Sequence, residues 1–544
     1  MRWGETAVDA RRWLEARPKV ELALFAAVLL FGIVARVGTL LYRPSLWGDE
    51  AALALNVEPR SFFELGKPFV YRQVAPWGVL AGMKLSTLFV GATDFGFRLF
   101  PFLGGIVATA AVYPVARRIA GPIAALSAMF FIGCSSTLTY YGAEVKPYAI
   151  DAAVAGVLMF LTVRVLDRPH ERARWWVMGV AGVVAGWISL PSLFVLGACG
   201  ATLLMDAWSS ARDLRRVGLI AALGLVWVVA FAVHYQMVIV QSAVASSKGA
   251  SAYWDPGFAP FPPKELSDLR WYVGRYFYSY SNPGGLAHKY LAGAIGGAGI
   301  ITALVRKQHK LLMLVAGPAL LALMASMLRK YPAIERLLMF AVPSMGILMG
   351  VGIAVIAERR SWLVGAVAVA CIATVTVPVL PETFEFTYAP AAEPDFEDLA
   401  RELSARKEPG DLVYLSGAGL GTVYDHYGPK YELPMDYLGR YEPRRLDDNG
   451  RFVNLPRLVD DVFGRDRVWF VLSTYQGTKD PKVVGRSEES LFAFMTRYLD
   501  RHGARRLETV DGYGMVLILY DLSEVVRPEG DDKYENDARV AQSS

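Results

Sequence analysis

The chain has 544 residues, 54% of them hydrophobic and only 20% charged, with a mean hydropathy of +0.32 and a formal net charge of +5. Soluble globular proteins carry more charge than this, and the apolar excess is gathered into runs near the ~20 residues that cross a bilayer. The positive charge is spread along the chain instead of forming one basic stripe, so no nucleic-acid partner is needed to explain it, and the composition is that of a polytopic α-helical membrane protein.

At the start, Arg11, Arg12, Arg17 and Lys19 precede an apolar run with no small-residue cleavage site after it, which predicts a cytoplasmic segment 1–19 and an uncleaved signal anchor. Apolar spans are expected at 20–42, 96–117, 122–141, 147–166, 174–189, 191–208, 217–240, 287–305, 310–328, 335–356 and 361–381, roughly eleven in all by length and hydropathy. The break at Ser189-Leu190-Pro191-Ser192 leaves 174–208 readable as one span or two. If the spans alternate, Arg117-Arg118, Arg164 to Arg174, Arg212 to Arg216, Arg306 to Lys310 and Arg359-Arg360 share the side of the N-terminus. That is the positive-inside pattern, and it puts the outer loops at 43–95 and 241–286 and everything after about 381 outside. Pro76 to Gly91 is apolar but short and contains Lys84, which predicts an interfacial helix.

Beyond the last span the pattern changes. Helical periodicity over Phe396–Lys407 and Glu488–His502 alternates with strand-like runs at Asp411–Ser416, Arg467–Leu472 and Met515–Tyr520. This predicts an extracytoplasmic α/β domain over 382–522, of ordinary domain size. Residues 523–544 are charged and aperiodic, which predicts a disordered tail. Cys134, Cys199 and Cys371 sit inside apolar runs and read as small buried hydrophobes, without the spacing of a disulfide framework or a metal site.

Four features carry candidate chemistry. The first is the acid pair Asp49-Glu50 just after the first span, where carboxylates are costly to place and useful for proton abstraction. Asp49 would equally serve as the N-cap of a helix Glu50–Val57. The second is a set of cations on the outer side: Arg72, Lys84, Lys146, Arg329, Lys330 and Arg336. A bound phosphate explains several of them, and snorkelling to lipid headgroups explains others. The third is the polar stretch Tyr140 to Tyr148, with Glu144 and Lys146, followed one turn on by Asp151; it reads as a binding element or as a self-contained ion cluster. The fourth is the aromatic density of 241–286, including Trp254, Trp271, Tyr272, Tyr276 and Tyr280, suited to stacking on a sugar or polyprenyl chain and also to an interfacial belt. Gly417-Ala418-Gly419-Leu420-Gly421 has its third glycine misplaced for a dinucleotide loop and reads as a turn, and His234, His288 and His426 form no metal-ligand pair.

The runs Leu46-Trp47-Gly48-Asp49-Glu50-Ala51, Tyr71-Arg72-Gln73-Val74-Ala75-Pro76 and Arg98-Leu99-Phe100-Pro101, followed by Tyr141 to Asp151 and Tyr331 to Leu338, resemble bacterial GT-C membrane glycosyltransferases. The nearest group is the dolichyl-phosphate-mannose protein mannosyltransferase-like, family 39-like enzymes. The resemblance covers about 20–381, with a C-terminal domain of a type often appended. It implies a sugar donor on polyprenyl phosphate, an inverting transfer, and a base at Asp49 that deprotonates the acceptor hydroxyl, with Glu50 as a second acid orienting Asp49 or the acceptor. Lys146, Arg336 and Arg72 become candidates for the lipid phosphate. Glu144, Gln73, Tyr148 and Trp271 become candidates for the sugar or acceptor. Where the family often has a His-Pro-Pro-like motif, this chain has Val74-Ala75-Pro76 and no histidine. Some relatives use a divalent metal ion and others none, so a metal stays open. The partners implied are the polyprenyl-phosphate-sugar donor, membrane lipids and a glycan, lipid or protein acceptor, at a bacterial inner membrane. A transporter or flippase of a lipid-linked glycan is the alternative.

Overall fold

The computed structural model describes residues 14–71, 73–209, 213–240, 254–357, 362–385, 395–416, 419–439, 462–473, 491–512 and 514–525. The chain divides into two compact units, one of 1–42 with 56–388 and one of 43–55 with 389–544. The segment bearing Asp49 thus belongs to the same unit as the C-terminal region.

The first unit is helical, as a chain in hydrocarbon must be if every backbone group is to find a partner. Its elements begin with α1 (Pro18–Tyr42), and α2 (Gly48–Val57) of the other unit follows; then come α3 (Trp77–Val90), α4 (Asp94–Cys134), α5 (Ser136–Gly142), α6 (Tyr148–Asp167), α7 (Arg172–Ile188), α8 (Ser192–Ser209) and α9 (Leu214–His234). After these come α10 (Leu266–Ser281), α11 (Lys289–Val305), α12 (His309–Met327), a 3-10 turn Glu335–Ala341, α13 (Val342–Ala357) and α14 (Trp362–Thr376). Among the described residues, 8 helical segments are long and apolar enough to cross a membrane. One of them, α4, runs 41 residues and holds two crossings: Ala120 and Gly121 leave helical geometry, Gly121 at φ +83°, and Pro122 starts the next stretch. Only glycine takes that φ without strain. The eleven expected spans therefore all coincide with helical stretches, although α7 and α11, of 17 residues each, fall short of a full crossing. The 174–208 region is two helices, and the expected interfacial helix is α3.

Small residues let the spans approach closely. A Cβ on Gly350 would lie 2.2 Å from the Ala124 carbonyl oxygen, and one on Gly299 would lie 2.0 Å from that of Leu348. The sequence reading passed over a buried arginine in α1. Arg36 is 1% exposed in the middle of the apolar span. Its Nη1 donates to Gly32 O at 2.7 Å and its Nη2 to Ile132 O at 2.9 Å. Ile132 stands in the last turn of α4, where the helix dipole is negative, and its carbonyl oxygen also accepts from the Ser135 N–H at 3.4 Å. Gly32 and Gly105 make the room: a Cβ on either would come within 3.3 Å and 3.1 Å of the guanidinium.

The second unit holds a four-stranded sheet of β1 (Leu412–Ser416), β2 (Val468–Ser473), β3 (Arg505–Gly512) and β4 (Met515–Asp521), in the order β1-β2-β4-β3. β1 and β2 are parallel, and β4 is antiparallel to both of its neighbours. Helices α15 (Phe396–Arg406), α16 (Leu420–Tyr427) and α17 (Leu491–Arg501) accompany it. The predicted strands and helices of 382–522 are present within a residue or two at their edges, except that the start expected for the last helix, at 488, lies outside the described residues. β3 escaped the sequence reading because it is a largely exposed edge strand carrying Arg505, Arg506, Glu508 and Asp511, with little apolar signal. Most of the tail read as disordered lies outside the described residues.

Two measurements follow from the folding. Arg36→Leu removes charge-assisted hydrogen bonds to buried carbonyls, a type worth about 1.5–3 kcal/mol each, so the variant should unfold in detergent at a clearly lower temperature, with Arg36→Lys in between; an unchanged midpoint would contradict the role given to Arg36. In α16, burial and then the Lys430 charge push the His426 imidazole down to about 3. A base with a depressed native pKa is held neutral, so its stability contribution is complete above the unfolded value near 6.5 and is lost as pH falls toward 3. Acid should loosen the second unit over that window, measured by hydrogen exchange of α16, and His426→Asn should flatten that part of the response.

Candidate active site

In the second unit the acid pair is split by its surroundings. α2 begins at Gly48, so Asp49 is inside the first turn and its side chain is exposed, whereas Glu50 is fully buried. The Glu50 carboxylate accepts from the Trp47 backbone N–H at 3.2 Å, while the Glu50 N–H donates to Trp47 O at 2.8 Å. This is the return half of a capping box, with Trp47 at the cap. The capping role considered for Asp49 is therefore carried by Glu50. Arg43 Nη2 lies 4.0 Å from Glu50 Oε2, and both side chains are at most 1% exposed. Asp49 projects from the positive end of α2, where a carboxylate is electrostatically favoured.

In the first unit the candidates gather at the hinge between α5 and α6. The Lys146 N–H donates to Glu144 O at 2.7 Å, a tight turn ahead of Pro147, and the Lys146 ammonium donates to Gln73 Oε1 at 2.7 Å. Gln73 and Lys146, read separately from the sequence, thus form one element. Arg336, from the 3-10 turn, stacks 6.0 Å over the Tyr148 ring and 5.4 Å over that of Trp254. Glu144, Arg336 and Glu335 all act electrostatically on the Tyr141 hydroxyl. Asp151 is 6% exposed, with one carboxylate oxygen that has no hydrogen-bond partner. The hinge is therefore a mixed cluster of fixed cations, carboxylates and aromatic faces, which suits a phosphate beside sugar hydroxyls.

Residues 74–235 match the family model for dolichyl-phosphate-mannose-protein mannosyltransferase. No curated relative is found by sequence. In three dimensions, the chain is similar to ArnT from Cupriavidus metallidurans bound to undecaprenyl phosphate, at 14% identity and a TM-score of 0.54, over 93% of this chain and 99% of that one. It is also similar to the Archaeoglobus fulgidus oligosaccharyltransferase in complex with zinc and sulfate, at 13% identity and a TM-score of 0.53, over 93% of this chain and 74% of that one. The chain has the GT-C glycosyltransferase fold. The resemblance drawn from the sequence is borne out, and with it the fold class.

Within the GT-C fold the remaining candidates fall differently. Trp271, on α10, donates to Pro256 O at 3.3 Å and lies under Arg275 at 5.0 Å, so its ring is engaged in the packing of the outer loop. Arg72 lies outside the described residues. Lys84 donates to the carbonyls of Val57 and Glu58, at 3.3 Å and 2.8 Å, beyond the end of α2. Arg329 pairs with Asp255 and stacks on Phe258. Local structure thus engages two more of the six cations expected on the outer side, Lys84 and Arg329. Just past the Val74-Ala75-Pro76 segment, His234 Nε2 accepts from the Trp77 N–H at 3.1 Å, at the start of α3. Among the described residues no three His, Cys, Asp or Glu side chains are grouped to hold a metal ion.

The split of the acid pair is testable without a substrate. Glu50→Ala loses a cap worth about 1 kcal/mol and removes a buried carboxylate 4.0 Å from the buried Arg43 guanidinium. Asp49→Ala removes an exposed carboxylate and leaves the Trp47–Glu50 bond in place. Thermal unfolding should show a large loss for Glu50→Ala and a small one for Asp49→Ala, and equal losses would refute the division.

Proposed function

We propose that the protein is a glycosyltransferase that takes a hexosyl or pentosyl group from a polyprenyl-phosphate donor and places it on an acceptor hydroxyl, with inversion, at the outer face of a bacterial cytoplasmic membrane. Its N-terminus is cytoplasmic and its C-terminal unit periplasmic. The reading is carried by the exposed Asp49 carboxylate on the first turn after the first span, in a chain whose fold is shared with a protein bound to undecaprenyl phosphate.

Asp49 removes the proton from the acceptor hydroxyl as its oxygen attacks the anomeric carbon. The bond from that carbon to the phosphate oxygen breaks, and the electron pair leaves with the lipid phosphate. A carboxylate base contributes about 10²–10⁴ to such a step. Fixed cations offset the charge that grows on the leaving group; Lys146 and Arg336 supply it, with Arg72 as the third. Gln73 holds the Lys146 ammonium in place. Glu144 and Tyr148 line the hinge for the sugar or acceptor, and Glu50 holds the turn that presents Asp49.

The test uses the full chain in proteoliposomes with a panel of undecaprenyl-phosphate hexoses and pentoses, reading release of undecaprenyl phosphate. Asp49→Asn should lower turnover by about 10² or more with thermal stability unchanged. Undiminished turnover in that variant would remove Asp49 as the base. Movement of intact donor across the bilayer without release of lipid phosphate would favour a flippase.

A further inference from the structure

Within the second unit, the residues after 388 have no role in the chemistry above, yet they grip the segment immediately before Asp49. Three anchors do this. The Phe396 N–H donates to Ser45 Oγ at 2.8 Å, and the adjacent Asp395 carboxyl also bonds Ser45. The Leu46 N–H donates to the Tyr427 hydroxyl at 2.7 Å. Gly48 packs on Gly419 with no space for a side chain: a Cβ on Gly48 would lie 2.8 Å from the Gly419 Cα. Gly419 itself stands at φ +81°, the left-handed region, at the start of α16. Gly419 thus presents bare backbone to the acid loop.

The anchors are themselves rigid. The Tyr427 ring is 6.0 Å from the Phe396 ring and 4.7 Å edge-on from His426, with the Lys430 ammonium 5.2 Å above it. Tyr427 is 1% exposed and Leu46 is 1% exposed, so their bond is shielded from water and worth more than a surface one. Anchors at 45, 46 and 48 leave little freedom at 49, one residue on.

We propose that the C-terminal unit is the positioning device for the catalytic base, with Tyr427 and Gly419 as its positioning residues. The inference rests on the reading of Asp49 as base. Preorganisation of a general base is a kinetic matter: displacement by about 1 Å can lower turnover about 10²-fold while leaving donor binding alone. The effect therefore belongs in kcat, not in the donor KM.

The experiment compares full-length Tyr427→Phe, Gly419→Ala and, as a control, Gly410→Ala, which has a similar left-handed backbone (φ +96°) but nothing within 4 Å of the added Cβ. Hydrogen exchange of the Leu46 amide is read first, because it needs no donor. It should quicken about tenfold or more in Tyr427→Phe and Gly419→Ala, as expected when a local protecting contact is lost, and stay at the wild-type rate in Gly410→Ala. On the undecaprenyl-phosphate sugar that the wild type turns over, the first two should lose about 10–10² in kcat, with the donor KM within about twofold of wild type and the Gly410→Ala rate unchanged. Leu46 exchange and kcat matching the control in both variants would overturn the proposal. Full turnover in Asp49→Asn would instead remove the base reading, and the exchange data would still decide whether the C-terminal unit holds the loop.

Discussion

A guanidinium buried in hydrocarbon organises the membrane unit. Arginine stays charged in proteins, so Arg36 is tolerable in the middle of α1 only because carbonyl oxygens surround it. Those oxygens come partly from the last turn of α4, the negative end of its dipole. These bonds fix α1 against the α4–α5 break. Around the same break the Thr383 hydroxyl donates to Cys134 O at 3.0 Å, and the Ser136 N–H donates to Gly285 O at 3.2 Å. The short helix α5 and the polar hinge after it start from this point, so the site candidates Glu144, Lys146 and Tyr148 depend on it.

Each unit carries its own cluster of candidate residues. The membrane unit supplies cations and aromatic faces at the hinge, built on helix ends where charge can be held. The acid belongs by packing to the C-terminal unit, although it follows the first span directly in sequence. Glu50 and Arg43 stabilise the turn from within, and the Ser45, Leu46 and Gly48 contacts stabilise it from without. Asp49 is exposed at the positive end of α2. The acid pair thus resolves into one buried structural residue and one exposed carboxylate, the one proposed as the base.

Much of this was legible in the sequence. Spans, the helix pair at 174–208 as a possible double crossing, and the buried strands follow from hydropathy and period, because bilayer and core impose them directly. The resemblance carried by Asp49-Glu50, Tyr71 to Pro76 and Tyr141 to Asp151 reached the fold. What escaped depends on contacts between distant residues. Nothing near Arg43 announces Glu50 as its partner, and nothing near Gly419 announces Gly48. The His234 contact with Trp77 joins residues far apart in the chain. Arg36 is the exception: a lone arginine within an apolar run was a visible signal, and it pointed to a structural contact. Lys84 and Arg329 show the converse, since these cations, expected on the outer side to meet a phosphate or headgroups, are engaged locally.

The central claim is that this GT-C fold handles a sugar on a lipid phosphate. Its most direct test is an experimental structure of the full chain in nanodiscs with undecaprenyl phosphate. The account predicts phosphate density at the hinge, in contact with the Lys146 ammonium and the Arg336 guanidinium. Density for the lipid phosphate elsewhere, with neither side chain in contact with it, would contradict it.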